Sequence, residues 1–261
     1  MLVRKVQGHS PSLGLGLIPQ LVRAAGTADY GPRVLAALQQ SATIDSIIVF
    51  RFKKNEPARV HALATRRSMT VLDRTARTFA AGFSHLDPNA LVIAAASEPC
   101  GVFTHTERLD IEHRGYRDRC WRSSGVVDRC SYIGGEPADW WALNLYREMA
   151  SGRFSETEID ALSEAGTLLT PLTEKHLEIE SAKLEGAMWA RLENVLGSPG
   201  LLTNREKQVC GQMLRGRTTA AIACDLAIGV TSVITYKRRA FSKLGISTRH
   251  ELMDFCLHRI S

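Results

Sequence analysis

The sequence predicts two regions of different fold class, an α+β region followed by an all-α region. Short apolar runs typical of strands alternate with amphipathic helical segments over the first 170 residues, which favours an antiparallel sheet flanked by helices. Four short helical segments follow the linker Gly197-Ser198-Pro199-Gly200. We therefore expect an N-terminal arm (1–29), an α+β domain (30–170), a long helix with the linker (171–200) and a four-helix domain (201–261).

The first elements of the α+β region are a helix and two strands. Pro32 stands early in a predicted helix that ends at Gln39, where its missing N–H does no harm. Ile44–Phe52 is a buried apolar run, and a Lys-Lys-Asn-Glu-Pro turn separates it from a second strand, Ala58–Thr65. Apolar residues at helical spacing then predict a helix over Met69–Phe83. The region thus begins with a hairpin between two helices.

A second hairpin and a closing helix complete this region. Tyr116–Trp121 is a predicted helix, and Val126–Ile133 and Trp140–Tyr146 are predicted strands paired around a Gly-Gly-Glu-Pro turn. Ser155 and Glu158 form a capping box, which predicts the start of the next helix.

The chain is predicted to continue as a long helix over Pro171–Leu196. Apolar residues at steps of seven, four and seven form one stripe along it: Leu177, Leu184, Met188 and Val195. Two interpretations stay open, a helix packed on its own domain and the seam of a homodimer.

The net charge of +6 lies entirely in the last quarter of the chain. Ser198–Ser261 contains ten Lys and Arg against four acidic residues, so the 33 basic and 27 acidic residues of the whole chain leave 23 of each elsewhere. This asymmetry is expected of a neutral domain joined to one that binds a polyanion.

Several functional classes are disfavoured by the motifs that the sequence lacks. The six cysteines form no CxxC pair and have no histidines at zinc-ligand spacing, and no apolar run approaches the ~18 residues of a membrane span. Recognisable catalytic motifs are absent, and four carboxylates are interpreted as surface residues: Asp87, Glu98, Asp110 and Glu112. We therefore expect a cytoplasmic protein that is not an enzyme, with no catalytic residues, cofactor, metal or membrane partner.

The all-α region contains two helices joined by a tight connection. Thr203 and Glu206 form a capping box for the first helix, and Gly216 ends it as a C′ glycine. Thr218 begins a short second helix, and a four-residue connection leads to a strongly basic third helix over Thr231–Leu244. This order is typical of a helix-turn-helix formed by the second and third helices of the region. The later helix of such a pair enters the major groove of duplex DNA.

The faces of the third helix separate by spacing. Val233, Ala240 and Leu244 should pack inward. The opposite face carries hydroxyl groups followed by cations: Thr231, Thr235, Arg238, Arg239 and Ser242. Small hydroxyls can approach base edges and guanidinium groups can reach guanine or phosphate, whereas the more lateral Lys237 and Lys243 suit the DNA backbone.

Many positions of the all-α region match one known pattern at the correct spacing. The matched residues are Leu202–Val209, Gly216, Ile222, Ala223, Leu226, Ile228, Ser232, Val233, Lys243–Ile246, Arg249, Glu251 and Leu252. Together they resemble the LuxR-type helix-turn-helix domain. The resemblance implies a fourth helix over Thr248–His258 and a homodimer on a two-fold symmetric site in double-stranded DNA, with RNA polymerase a further candidate partner.

Three positions depart from that family's pattern. Gly229 stands where the family usually has Ser, and glycine is the weaker N-cap of the two. Ile234 and Tyr236 replace the usual Lys and His. Carried over position by position, base contacts fall to Ile234, Thr235 and Arg238. The full predicted DNA-contacting set is Thr218, Thr231, Ser232, Ile234, Thr235, Lys237, Arg238, Arg239 and Lys243. The operator sequence stays open.

The α+β region is expected to sense a signal. Trp140–Leu169 resembles the end of a GAF domain, and GAF-like sensors joined to LuxR-type domains form a known regulator class, which implies a small-molecule effector. Aromatic residues predicted near a pocket are Phe103, Trp121, Tyr132, Trp140 and Trp141. Aromatic residues on strands are more often plain core.

Two alternatives to this sensor are kept. Asp87-Pro88 and Pro99 resemble part of an acyl-homoserine-lactone sensor, but Arg74 and Thr78 stand where that family places a Trp and a Tyr. In the other alternative, protein–protein contact controls the regulator and no small molecule binds. The predicted function in each case is a sequence-specific DNA-binding transcription regulator.

Overall fold

The computed structural model of the chain describes residues 1–6, 15–95 and 101–259. They form two compact units, Met1–Glu180 and Ser181–Ser261. The first unit is an antiparallel sheet with helices and the second is helical, which confirms the predicted fold class. The predicted domain boundaries stay predictions. Glu98, Pro99 and Cys100 lie outside the described residues.

Within the described residues, six strands form one sheet, and every neighbouring pair is antiparallel. The strands are β1 (Leu2–Lys5), β2 (Ser46–Lys53), β3 (Arg59–Thr65), β4 (Val102–Glu107), β5 (Val126–Glu136) and β6 (Asp139–Glu148). Their order across the sheet is β1-β4-β5-β6-β2-β3. Both predicted hairpins are present, because β2 pairs with β3 and β5 pairs with β6.

The first residues of the predicted N-terminal arm form a strand. Leu2 to Lys5 form β1, which pairs with β4 so that Leu2 lies opposite His105 and Lys5 opposite Val102. The pairing partner lies about a hundred residues further along the chain. A four-residue strand with such a distant partner leaves no local turn or periodicity from which to predict it.

The helices of the first unit cover both faces of the sheet. They are α1 (Ile18–Ala24), α2 (Tyr30–Leu38), α3 (Met69–Gly82), α4 (Pro88–Ala94), α5 (Arg114–Tyr116) and the first part of α6 (Glu156–Leu196). A π-helical turn, Arg117–Arg122, continues α5. Ile47 of β2 packs with α1, α2 and α6, whereas Ile48 packs with α3, α4 and α5. Because both faces are buried, β2 is a continuous apolar run.

Helix α6 begins where the sequence predicts. The Ser155 N–H donates to Glu158 Oε2 at 2.9 Å, and the Glu158 N–H donates to Ser155 Oγ at 3.3 Å, which is the reciprocal geometry of a capping box. The helix continues through Pro171. Of its predicted apolar stripe, Leu184 is 63% exposed and Met188 is 43% exposed, so these two do not pack on their own unit.

The second unit contains the four predicted helices. They are α7 (Asn204–Leu214), α8 (Thr219–Asp225), α9 (Val230–Leu244) and α10 (Arg249–Leu257). They pack around one apolar cluster to which the end of α6 contributes Leu192 and Leu196. Within the described residues no single helix is long and apolar enough to cross a membrane, although α8 and α9 jointly pass that test by length and composition.

Candidate nucleic-acid interface and cavity

Short-range hydrogen bonds fix the ends of the helices that form the helix-turn-helix. The Thr203 N–H donates to Glu206 Oε2 at 2.8 Å, and Gly216 adopts a φ of +83° just after α7. Thr218 Oγ1 accepts from the Ala221 N–H at 3.2 Å and so caps α8. The axes of α8 and α9 differ by 106°. This angle lies in the range of helix-turn-helix units, so α9 occupies the place of a recognition helix.

The inward face of α9 is the one that the spacing predicts. Val233, Ala240 and Leu244 are buried in the core of the second unit. Gly229 precedes the helix without any side-chain cap, as its lack of a side chain requires. Six predicted DNA-contacting residues lie on the exposed or half-exposed remainder: Thr231, Ser232, Ile234, Thr235, Arg238 and Arg239.

The four basic side chains of α9 that are predicted to contact DNA differ in their contacts within the protein. Within the described residues Arg238 and Arg239 have no acidic partner. Lys237 places its Nζ 5.3 Å from the centre of the Phe241 ring. Lys243 Nζ donates to Glu206 Oε2 at 2.7 Å, and the Glu206 side chain is buried. Lys243 is therefore paired with the capping box of α7, whereas neither arginine has an acidic partner among residues 1–6, 15–95 and 101–259.

A cavity of about 440 Å³ opens in the first unit between the sheet, α3 and the π-helical turn. Its inner wall is apolar and aromatic, with Phe50, Phe79, Tyr116, Trp121 and Tyr146 among its residues. Hydroxyl groups and three charged side chains complete the lining: Ser46, Thr65, Ser68, Thr75, Ser123, Ser124, Arg67, Arg122 and Glu148. This size and this mixture are typical of small-molecule sites.

The five aromatic residues predicted near a pocket do not share one. Phe103, Tyr132 and Trp141 are buried on the sheet face that α2 and α6 cover. Trp121 and Trp140 are buried on the other face, and of the five only Trp121 lines the cavity. Trp140 and Trp141 are neighbours on β6, and neighbouring strand residues point to opposite faces. Strand alternation was therefore the signal that separates them.

A buried ion pair supports the aromatic wall of the cavity. Arg129 Nη1 and Nη2 donate to the two Asp87 oxygens at 2.6 and 2.9 Å, and the Tyr116 hydroxyl donates to Asp87 at 2.6 Å. The Arg129 guanidinium lies 5.3 Å from the centre of the Trp121 ring. Asp87 is only 3% exposed, so its interpretation as a surface carboxylate is wrong.

Burial and pairing oppose each other at this ion pair. Burial alone would raise the pKa of the Asp87 carboxyl, but the Arg129 guanidinium and the hydrogen bonds of Tyr116 and Asn89 hold that pKa below its usual value. Burial, followed by the nearby Asp87 charge, raises the pKa of the Tyr116 phenol well above its usual value. The carboxylate is therefore ionised and the phenol neutral at neutral pH.

The family match lies in the second unit. Residues 200–256 match the family of bacterial regulatory proteins named luxR. A candidate HTH-type transcriptional regulator in the exeN 3′ region of Aeromonas salmonicida is 32% identical over 89 residues, which are 34% of this chain and 44% of that protein. The chain thus matches less than half the length of this curated relative.

Solved structures resemble the chain at low sequence identity. The VqsR LBD domain of Pseudomonas aeruginosa is 15% identical with a TM-score of 0.49, covering 63% of this chain and 96% of that one. The N-acylhomoserine lactone dependent factor CepR2 of Burkholderia cenocepacia is 15% identical with a TM-score of 0.47, covering 64% and 97%. SdiA of Escherichia coli is 14% identical with a TM-score of 0.44, covering 92% and 93%.

Proposed function

Because residues 200–256 form a helix-turn-helix domain of the luxR family of bacterial regulatory proteins, we propose that the chain is a transcription regulator that binds specific sites in double-stranded DNA. The observation that carries this proposal is the outward face of α9, where Arg238 and Arg239 are exposed and have no acidic partner within the described residues. Guanidinium groups on a helix at this place in the motif reach guanine edges and phosphates. The net charge of +6 over Ser198–Ser261 adds attraction to the duplex.

The test removes both arginines. Duplexes enriched from a randomised library by the full chain are labelled, and their affinity is measured by fluorescence anisotropy at fixed ionic strength. Arg238→Ala with Arg239→Ala is expected to weaken binding at least about tenfold, since one good base contact is worth about 1–3 kcal/mol. Arg74→Ala with Arg77→Ala removes two arginines from α3 of the first unit and serves as the matched control. Equal affinities of the two double variants would contradict the proposal.

The cavity of the first unit supports control by a small molecule. Its aromatic wall suits an apolar, planar body, and its hydroxyl groups supply polar contacts. The buried ion pair of Asp87 and Arg129 contacts Tyr116 and Trp121, two members of that wall, from behind. In this proposal the effector binds here and changes the affinity of the chain for DNA by differential binding to two states.

Filling the cavity tests this control. Thr75 lines the cavity from α3, whereas Thr78 lies on the same helix outside the lining. Native mass spectrometry of the purified full chain would identify a ligand that travels with it, and thermal shifts would be measured with a panel of lactones and aromatic acids. Thr75→Phe is expected to abolish the ligand mass and the shift, and Thr78→Phe to keep both. No ligand and no shift with the wild type would favour control by protein contact.

The hydrogen bonds of Asp87 bear on the lactone-responsive alternative. One Asp87 oxygen accepts from Arg129 and the Asn89 N–H, and the other accepts from Arg129 and Tyr116. A carboxylate with both oxygens engaged is a poor partner for a further donor. A thermal shift with acyl-homoserine lactones alone in the same panel would support this alternative.

We also propose a homodimer, with RNA polymerase contact left as a prediction. Leu184 and Met188 form an exposed apolar pair on α6, which a second copy of the chain can cover. Light scattering of the full chain is expected to give twice the monomer mass alone, and twice the monomer mass plus the mass of the duplex with DNA. Leu184→Glu is expected to reduce the protein share of both masses. A wild type that stays monomeric on DNA would refute the dimer.

A further inference from the structure

Two aliphatic side chains stand exposed on the leading turns of α9. Val230 is 47% exposed and Ile234 is 53% exposed. Both are absent from the apolar cluster of the second unit, whose described members include Val233 and Tyr236 from the same helix. Since residues four apart lie side by side on a helix, Val230, Ile234 and Arg238 form one ridge. The ridge therefore begins with two apolar side chains and ends with a cation that has no acidic partner in the described part of the chain.

Packing inside the protein does not account for these two residues. A single exposed aliphatic residue is ordinary, but two adjacent ones on the most cationic helix form a surface that gains by leaving water. A partner that covers this ridge must be anionic beside Arg238 and apolar beside Ile234. Duplex DNA meets both conditions, since thymine is the base that presents a methyl group in the major groove.

We propose that Ile234, with Val230 beside it, contacts the 5-methyl group of a thymine in the operator half-site, and that Arg238 contacts a neighbouring guanine or phosphate. This inference rests on the proposed function. An aliphatic side chain has no donor or acceptor, so methyl contact is the base-specific contact that it can make. The half-site is therefore expected to require a thymine next to the Arg238 position.

The neighbouring hydroxyl does not replace this contact. Thr235 Oγ1 donates to the Thr231 carbonyl oxygen at 2.9 Å, so its single proton is used within the helix. What Thr235 offers to a base is an acceptor and a methyl group. Thr235 therefore offers a base no donor that could replace the methyl contact of Ile234.

The experiment removes one methyl group at a time from the DNA. A half-site is first enriched from a randomised duplex library by the full chain, and each of its thymines is then replaced singly by deoxyuridine, which differs by that methyl group alone. At one position the replacement is expected to raise the wild-type Kd by about fourfold, the order expected for one buried methyl group. For Ile234→Ala the same replacement is expected to leave Kd nearly unchanged.

A matched control separates this effect from loss of any exposed aliphatic residue. Leu257 of α10 is 44% exposed, and Leu257→Ala is expected to keep the fourfold response to deoxyuridine. A half-site whose thymines can all be replaced without a change in Kd overturns this inference alone, and so does a response that persists in Ile234→Ala. Failure to enrich any duplex overturns the proposed function and the inference together.

Discussion

Asp87→Asn is expected to destabilise the first unit by about 3–5 kcal/mol, the cost of leaving one partner of a buried ion pair uncompensated. Each Asp87 oxygen accepts two hydrogen bonds, from Arg129 and either Tyr116 or Asn89. An amide in either orientation turns one oxygen into a donor, so two of these four bonds lose their acceptor. Arg129 is only 1% exposed, so its charge is almost entirely out of contact with water.

Urea denaturation followed by tryptophan fluorescence measures this change. Three of the four tryptophans, Trp121, Trp140 and Trp141, lie in the first unit and report its unfolding. A loss of about 3–5 kcal/mol is a large part of the 5–15 kcal/mol that stabilises an ordinary domain. The variant is therefore expected to unfold at a much lower urea concentration.

Asp139→Asn is the matched control because Asp139 also accepts two hydrogen bonds from one arginine. Arg51 Nε and Nη2 donate to it at 2.8 Å each, but the Asp139 side chain is 42% exposed. An exposed pair is worth about 0–1 kcal/mol, so this variant is expected to change little. Equal losses in Asp87→Asn and Asp139→Asn would refute the argument from burial.

Three further predictions concern single residues. Thr203→Ala removes the cap of α7 and is expected to cost the second unit about 1 kcal/mol in urea denaturation, and no loss would contradict the capping role. Gly26→Ala forces a side chain onto Ile179 at a φ of +72°, so it should cost more than Gly125→Ala, where φ is +77° with room for a Cβ; equal costs would refute the clash. Folding lowers the pKa of Asp87 from its usual 3.8. The contribution of Asp87 to folding stability is therefore complete above pH 3.8 and is lost as the pH falls through the lower pKa of the folded state. The difference in unfolding free energy between wild type and Asp87→Asn should therefore become smaller in acid. A difference that stays constant as the pH falls would contradict this pH dependence.

The second unit could be predicted because its signals are local. Thr203 and Glu206 are three residues apart, and Gly216 and Thr218 mark the end of one helix and the start of the next. Each signal acts within one helical turn, so sequence spacing is enough to interpret it. The DNA contacts of α9 remain predictions, since they depend on a partner as well as on the fold.

The cavity could not be predicted in the same way because its parts meet across long stretches of chain. Asp87 and Arg129 are joined only by folding, and neither position carries a local pattern. Phe50 and Phe79 come from a strand and a helix that meet on one face of the sheet. Choosing pocket residues by their aromatic side chains selected core residues from both faces of the sheet. Strand alternation places Trp140 and Trp141 on opposite faces, so at most one of them can line a cavity on a given face.

The contact between Lys243 and Glu206 bears on how the protein would respond to salt. A lysine that binds phosphate releases a counterion, and each such contact steepens the fall of log K with log salt concentration by about 0.9. Lys243 already has its anion at 2.7 Å within the protein. As long as that pair holds on DNA, α9 displaces one counterion fewer than its count of basic residues suggests.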